Sequence, residues 1–95
     1  MLTVNWRPQA IVDLIDIVDY IEQDNPQAAQ RMETLIRTAA LDLAVMPYIG
    51  RPGRIAGTRE RLAHPNYFIV HRLGERSVEI LNVVHARRQF PPQEW

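Results

Sequence analysis

The tripeptide Asp24-Asn25-Pro26 leaves almost no connecting chain between two stretches of helical periodicity. Asn25 has the side chain to cap a helix, and Pro26 has the fixed φ that suits a first helical turn. A break this short forces the two helices to lie antiparallel as a hairpin. The first runs from Pro8 to Gln23, with Ile11, Leu14, Ile15, Ile17, Val18 and Ile21 on one broad face. Asp13, Asp16 and Asp19 are expected on the opposite, solvated side. The second runs to about Met46, with Ala28, Met32, Leu35, Ile36, Ala39, Leu43 and Met46 as its apolar face and Leu41 and Val45 off that stripe. Those two are either exposed by chance or covered by a partner.

Two such helices need a surface to cover, and the last forty residues supply it. Arg59–Leu62, Tyr67–Leu73 and Ser77–His85 read as strands, joined by short turns at 63–66 and 74–76. Connections this short make an antiparallel meander. Alternation puts Tyr67, Ile69, His71 and Leu73 on one face of the middle strand, with Phe68, Val70 and Arg72 on the other. In the last strand it groups Leu81, Val83 and His85 against Val78, Ile80, Asn82 and Val84. Both faces are partly apolar, so helices cover one side and something else covers the other. Thr3–Trp6 adds a short N-terminal strand. Residues 47–54, with two prolines and two glycines, read as a loop. The fold expected is a single α+β domain, residues 1–95, with a β-α-α-β-β-β order. It has two layers, an antiparallel helical hairpin on a small, mainly antiparallel sheet.

Composition narrows the chemistry. The chain has no cysteine, which excludes disulfides, zinc–cysteine sites and thiol catalysis. No apolar run is long enough to span a membrane, and the N-terminus does not read as a secretory signal, so a cytoplasmic location is expected. No cofactor or metal is expected. The net charge of zero conceals a division: residues 1–46 hold seven acids and three arginines, residues 47–95 eight arginines and four acids. All eleven cations are arginine, suited to planar contacts with phosphate or carboxylate, although codon bias produces the same pattern.

The candidate site is the end of the last strand, where Val78-Glu79-Ile80-Leu81-Asn82-Val83-Val84 gives way to His85-Ala86-Arg87-Arg88-Gln89-Phe90. A buried strand there delivers a histidine, two arginines and an aromatic ring to solvent. His85 is a strand-end cap or a functional group. Arg72, beside aromatic neighbours, is expected to pair with Glu79. Arg51 and Arg54 are connector residues or an anion site.

Five stretches carry a resemblance that covers nearly the whole chain: Trp6-Arg7-Pro8-Gln9-Ala10; Tyr20 to Ala29 at the helical break; Gly50-Arg51-Pro52-Gly53-Arg54 with Gly57-Thr58-Arg59-Glu60; His64-Pro65-Asn66-Tyr67 with His71-Arg72-Leu73; and Val78 to Phe90. Together they resemble the RelE/ParE superfamily of toxins from type II toxin–antitoxin modules, more closely its ParE branch. The resemblance implies a toxin neutralised by a cognate antitoxin whose disordered segment folds onto it. Ile15, Val18, Leu41 and Val45 are the antitoxin contacts this suggests. Operator DNA would be read only through the antitoxin.

For the toxic activity the resemblance implies two mechanisms. The ParE branch poisons DNA gyrase without catalysis. That assigns target contact to Arg87, Arg88 and Phe90, with Arg59 and Arg61. The RelE branch cuts mRNA on the ribosome. Matched to that pattern, Arg59, Arg61 and Arg87 hold phosphate and His85 is the acid or base. Glu60 falls on the face opposite Arg59 and Arg61. The sequence departs from the family's ribonucleases in having no lysine, and Ala86 where a tyrosine follows the histidine. A third reading keeps antitoxin binding and loses toxicity.

Overall fold

The computed structural model describes residues 1–88 and 90–91. Its elements run β1 (Thr3–Trp6), α1 (Pro8–Glu22), α2 (Pro26–Asp42), β2 (Arg51–Pro52), β3 (Arg59–His64), β4 (Tyr67–Leu73) and β5 (Ser77–His85). The hairpin forms as the break dictates. Asn25 caps α2, its side-chain oxygen accepting the Ala28 N–H at 3.0 Å, and Pro26 opens the first turn. α2 stops at Asp42, short of Met46, because residues 43–45 turn with bonds to carbonyls three back before Pro47 bars continuation.

The strands form one sheet in the order β1-β5-β4-β3-β2. β3, β4 and β5 are the expected meander, while β1 joins β5 in parallel. β2 is a short fifth strand inside the stretch expected as a loop, pairing Arg51 with Glu60 and Pro52 with Arg59. Two residues, one a proline on a sheet edge, leave no periodicity to detect. Gly50, at φ +100°, passes so close to β3 that a Cβ there would collide with the Glu60 carbonyl.

The sheet carries two cores. On the helix side Ala10, Leu14, Ile36, Ala39, Ala40 and Leu43 pack on Ile69, Val78, Ile80 and Val83. On the outer side Phe68, Val70, Val84 and Phe90 form a second cluster, joined by Ile55 and Leu81. The loop after β2 and the segment after β5 therefore supply the second cover. Burying the Leu, Ile, Val and Phe side chains among these stabilises the fold by about 1.5–3 kcal/mol each.

The alternation expected for β5 is corrected here. Val78, Ile80 and Val83 share the helix-side core, whereas Leu81 and Val84 face outward. The cause is a register shift. Val70 pairs with Asn82 and His71 with Ile80, so Leu81 is an extra residue that exchanges the faces on either side of it. A second shift in β3 leaves Ala63 extra between Leu62, opposite Phe68, and His64, opposite Tyr67.

Candidate functional site

The Leu81 bulge determines where β5 delivers its last residues. Beyond it, Val83 and His85 face α1, and with Asp13, Asp16, Ile17, Tyr20, Tyr67, Arg87 and Arg88 they line an open cleft of about 640 Å³. His85 lies edge-to-face on Tyr67, ring centroids 5.1 Å apart, and its Nδ1 accepts the Arg87 N–H at 3.1 Å. Burial pushes the Tyr67 hydroxyl pKa up, Tyr20 adds to this, and the Arg88 charge opposes it. Tyr67 is therefore a neutral hydroxyl at any ordinary pH. Arg87 and Arg88 are exposed, and neither makes an ion pair among the described residues.

Asp13 is not the solvated residue its position in an acidic row suggested. Its Oδ2 accepts the Val83 N–H at 2.9 Å and the Asn82 side chain at 3.2 Å, while Oδ1 accepts from Gln9 at 2.9 Å. The signal was present in the helical spacing. Ala10 and Ile17, three before and four after, flank Asp13 on the side that meets the sheet. Tyr20 and Tyr67 were likewise missed as cleft residues, because nothing local links a helix end to a strand start.

The remaining candidates lie elsewhere. Arg59 and Arg61 sit on β3, two strands from β5; Arg59 pairs through His71 with Ile80, roughly 15 Å along the sheet from His85. Arg61 donates to Asp42 at 2.7 Å and to the Ala39 carbonyl at 3.1 Å, tying β3 to α2. Arg59 donates to the Gly50 carbonyl at 2.7 Å. The four residues His85, Arg59, Arg61 and Arg87 are thus not brought to one point. Phe90, expected beside the arginines as a contact, is buried edge-to-face on Phe68, because the outer sheet face needs an apolar cover.

Glu60 does lie opposite Arg59 and Arg61. Almost fully buried, it accepts from Arg51 Nε at 2.9 Å and from the Arg54 backbone at 3.0 Å. Both guanidinium groups stack on the Phe68 ring, at 5.7 and 5.0 Å, so this loop is a packed connector. Arg72 stands opposite Glu79 in register but makes no ion pair among the described residues. Glu79 instead bonds Asn5 and Ser77 and lies 3.8 Å from Arg7.

The sequence matches the profile of the family described as "ParE toxin of type II toxin-antitoxin system, parDE" over residues 4–90. The chain belongs to the ParE toxin family. A relative from Sinorhizobium fredii (strain NBRC 101917 / NGR234), "Putative toxin Y4kP", is 47% identical over 93% of this chain and 92% of its own length. "Toxin RelE2" from Caulobacter vibrioides (strain ATCC 19089 / CIP 103742 / CB 15) is 41% identical over 93% of this chain and 99% of its own. The fold is shared with a chain of the solved structure "Chromosomal ParDE TA system from P. aeruginosa". There the TM-score is 0.79 at 22% identity, covering 90% of this chain and 96% of that one.

As a type II toxin this ParE family member has a cognate antitoxin for a partner. Its helical hairpin carries a second depression, of about 340 Å³, lined by Trp6, Ile11, Leu14, Ile15, Val18, Asp19, Glu33 and Arg37. Ile11 and Ile15 are exposed although they belong to the apolar arc of α1, so that arc is wider than the face the sheet buries. Ile15 and Val18, expected as antitoxin contacts, lie in this groove. Leu41 and Val45 are exposed and lie outside it. Among the described residues no helix of this ParE toxin is long and apolar enough to cross a membrane. None of their histidines and carboxylates form a group of three suited to a metal ion.

Proposed function

We propose that the chain is a cytoplasmic toxin that arrests growth by binding DNA gyrase and trapping it on cleaved DNA, with no catalysis of its own. The observation that supports this reading is the separation of the nuclease candidates. Arg59 and Arg61 are committed to Gly50, Ala39 and Asp42, leaving His85 beside two exposed arginines and apart from the β3 pair. An exposed pair of guanidinium groups above a rigid His–Tyr platform is a contact surface, and Arg87 and Arg88 are its residues. The antitoxin segment docks in the apolar groove at Ile15 and Val18, whose rim carries the Glu33–Arg37 pair. Operator DNA is reached only through that antitoxin.

The test is a supercoiling assay with purified toxin and gyrase. Inhibition with accumulation of cleaved DNA is expected, and loss of both in the Arg87→Ala/Arg88→Ala double variant. Normal supercoiling at excess wild-type toxin overturns the reading. The second reading, ribosome-dependent mRNA cleavage using His85 with Arg59, Arg61 and Arg87, draws on the relative named "Toxin RelE2". It requires message cleavage in a translation mix that His85→Ala abolishes.

A further inference from the structure

The end of the sheet that carries the cleft holds a hydrogen-bonded relay that the family membership does not account for. Where β3 ends, His64 Nδ1 accepts the Asn66 N–H at 3.0 Å; where β5 ends, His85 Nδ1 accepts the Arg87 N–H at 3.1 Å. The two turns are tied together by the Ala86 N–H donating to the Asn66 carbonyl at 2.7 Å, and the second is closed by the Arg88 N–H donating to the His85 carbonyl at 2.9 Å. Both imidazoles flank the same ring, Tyr67, at 6.3 and 5.1 Å between centroids. The bulges at Ala63 and Leu81 bring them to it.

A ring nitrogen that accepts a hydrogen bond carries no proton, so His85 in this arrangement is neutral with its hydrogen on Nε2. A proton on Nδ1 would set donor against donor and break the bond to Arg87. We propose that His85 is a positioning residue: its unprotonated Nδ1 fixes the backbone that presents Arg87 and Arg88, and protonation releases that backbone. The titratable and charged groups sharing the cleft with His85 are Asp13, Asp16 and Tyr20 from α1, Tyr67 from β4, and Arg87 and Arg88 from its own segment. Asp13 is engaged with Val83 and Asn82, and Tyr67 stays neutral, which leaves the Nδ1 bonds of His85 and of His64, across the Tyr67 ring, as the proton-sensitive bonds at this end of the sheet.

The positioning stands on the geometry alone; its consequence for toxicity rests on Arg87 and Arg88 being target contacts. Nitrogen-15 NMR of the full chain tests the first. The neutral His85 ring is expected as the Nε2–H form, and the Arg87 amide signal is expected to move when that ring takes up a proton. His85→Asn supplies an oxygen acceptor near Nδ1 that does not titrate. It should keep the Arg87 amide at its high-pH position throughout, whereas His85→Ala should displace it at every pH. An Nδ1–H form, or an Arg87 amide indifferent to His85 titration, overturns the proposal.

Gyrase inhibition by the same variants tests the consequence. His85→Asn should match the wild type at high pH, and His85→Ala should be weaker by about fivefold, the equivalent of one lost hydrogen bond. Equal inhibition by wild type, His85→Asn and His85→Ala overturns the link to toxicity. No inhibition by wild type defeats the gyrase reading and leaves the NMR result to decide the positioning.

Discussion

Asp13 and Val83 are joined by a carboxylate-to-amide hydrogen bond of 2.9 Å at the place where β1 stops accompanying β5. The Arg7 N–H makes the last backbone contact on that side, to Ile80, and beyond it a helix side chain takes the position of a neighbouring strand. Without it the Val83 amide would lie in a half-buried edge with nothing to receive its hydrogen.

Asp13→Ala is therefore expected to destabilise the fold by roughly 1.5–3 kcal/mol, the range for a hydrogen bond to a charged acceptor. Asp13→Asn, which keeps an oxygen at the same reach, should cost less. Urea denaturation of both variants checks the order, and hydrogen exchange at Val83 should quicken only in the alanine variant.

His71 is fully buried on β4, opposite Arg59 and Ile80, and neither ring nitrogen completes a hydrogen bond among the described residues. Burial drives its pKa from 6.5 down to about 4; the Ile49 backbone pulls the other way, and the Arg59 and Arg61 charges depress it further. Below pH 6.5 the unfolded chain takes up a proton that the folded chain refuses until about pH 4. Stability is thus full above pH 6.5 and falls as pH drops through that window, by roughly 3 kcal/mol from this group. His71→Leu should remove that portion of the acid sensitivity in denaturation curves taken across the range. An unchanged pH slope would count against a neutral His71.

Glu60 anchors the loop that covers the outer core. Glu60→Ala frees the Arg54 amide and both guanidinium groups, and should cost roughly 1–3 kcal/mol. Because Arg51 and Arg54 are themselves exposed, no buried charge is stranded, which keeps the cost below that of breaking a deeply buried pair. Limited proteolysis should find cleavage concentrated near residues 51–58.

Placing a charge in the hairpin groove should separate antitoxin binding from folding. Ile15 is half exposed, so Ile15→Glu is expected to leave the unfolding midpoint nearly unchanged while weakening antitoxin binding tenfold or more, about 1.4 kcal/mol. Leu41→Glu, outside the groove, is the control. Calorimetric titration that finds the two variants equal would place the antitoxin elsewhere.

The hairpin was legible because Asn25 and Pro26 encode a helix start by local chemistry, and the sheet because its strands are long and their turns short. The two bulges were not legible. Ala63 and Leu81 are ordinary strand residues, and only the pairing across strands reveals that each is one too many. That single uncertainty propagated to the site: the faces of β5 upstream and downstream of Leu81 could not be joined correctly, and the approach of Tyr20 and Asp13 to His85 depends on both bulge and helix packing. Arg59 and Arg61 looked free because arginine sequence positions say nothing about the carbonyls and carboxylates that engage them. Phe90 looked like a contact for the related reason that the outer core is assembled from residues far apart in the chain.

The parallel pairing of β1 with β5 has a consequence for the making of the molecule. Asn5 and Glu79 are 74 positions apart, yet they are partners in the sheet. During synthesis the first strand must wait for nearly the last, since no closer segment pairs with it. The strand that completes the sheet is also the one that carries His85 to its end. A ribosome making this chain thus holds an incomplete sheet until β5 has emerged.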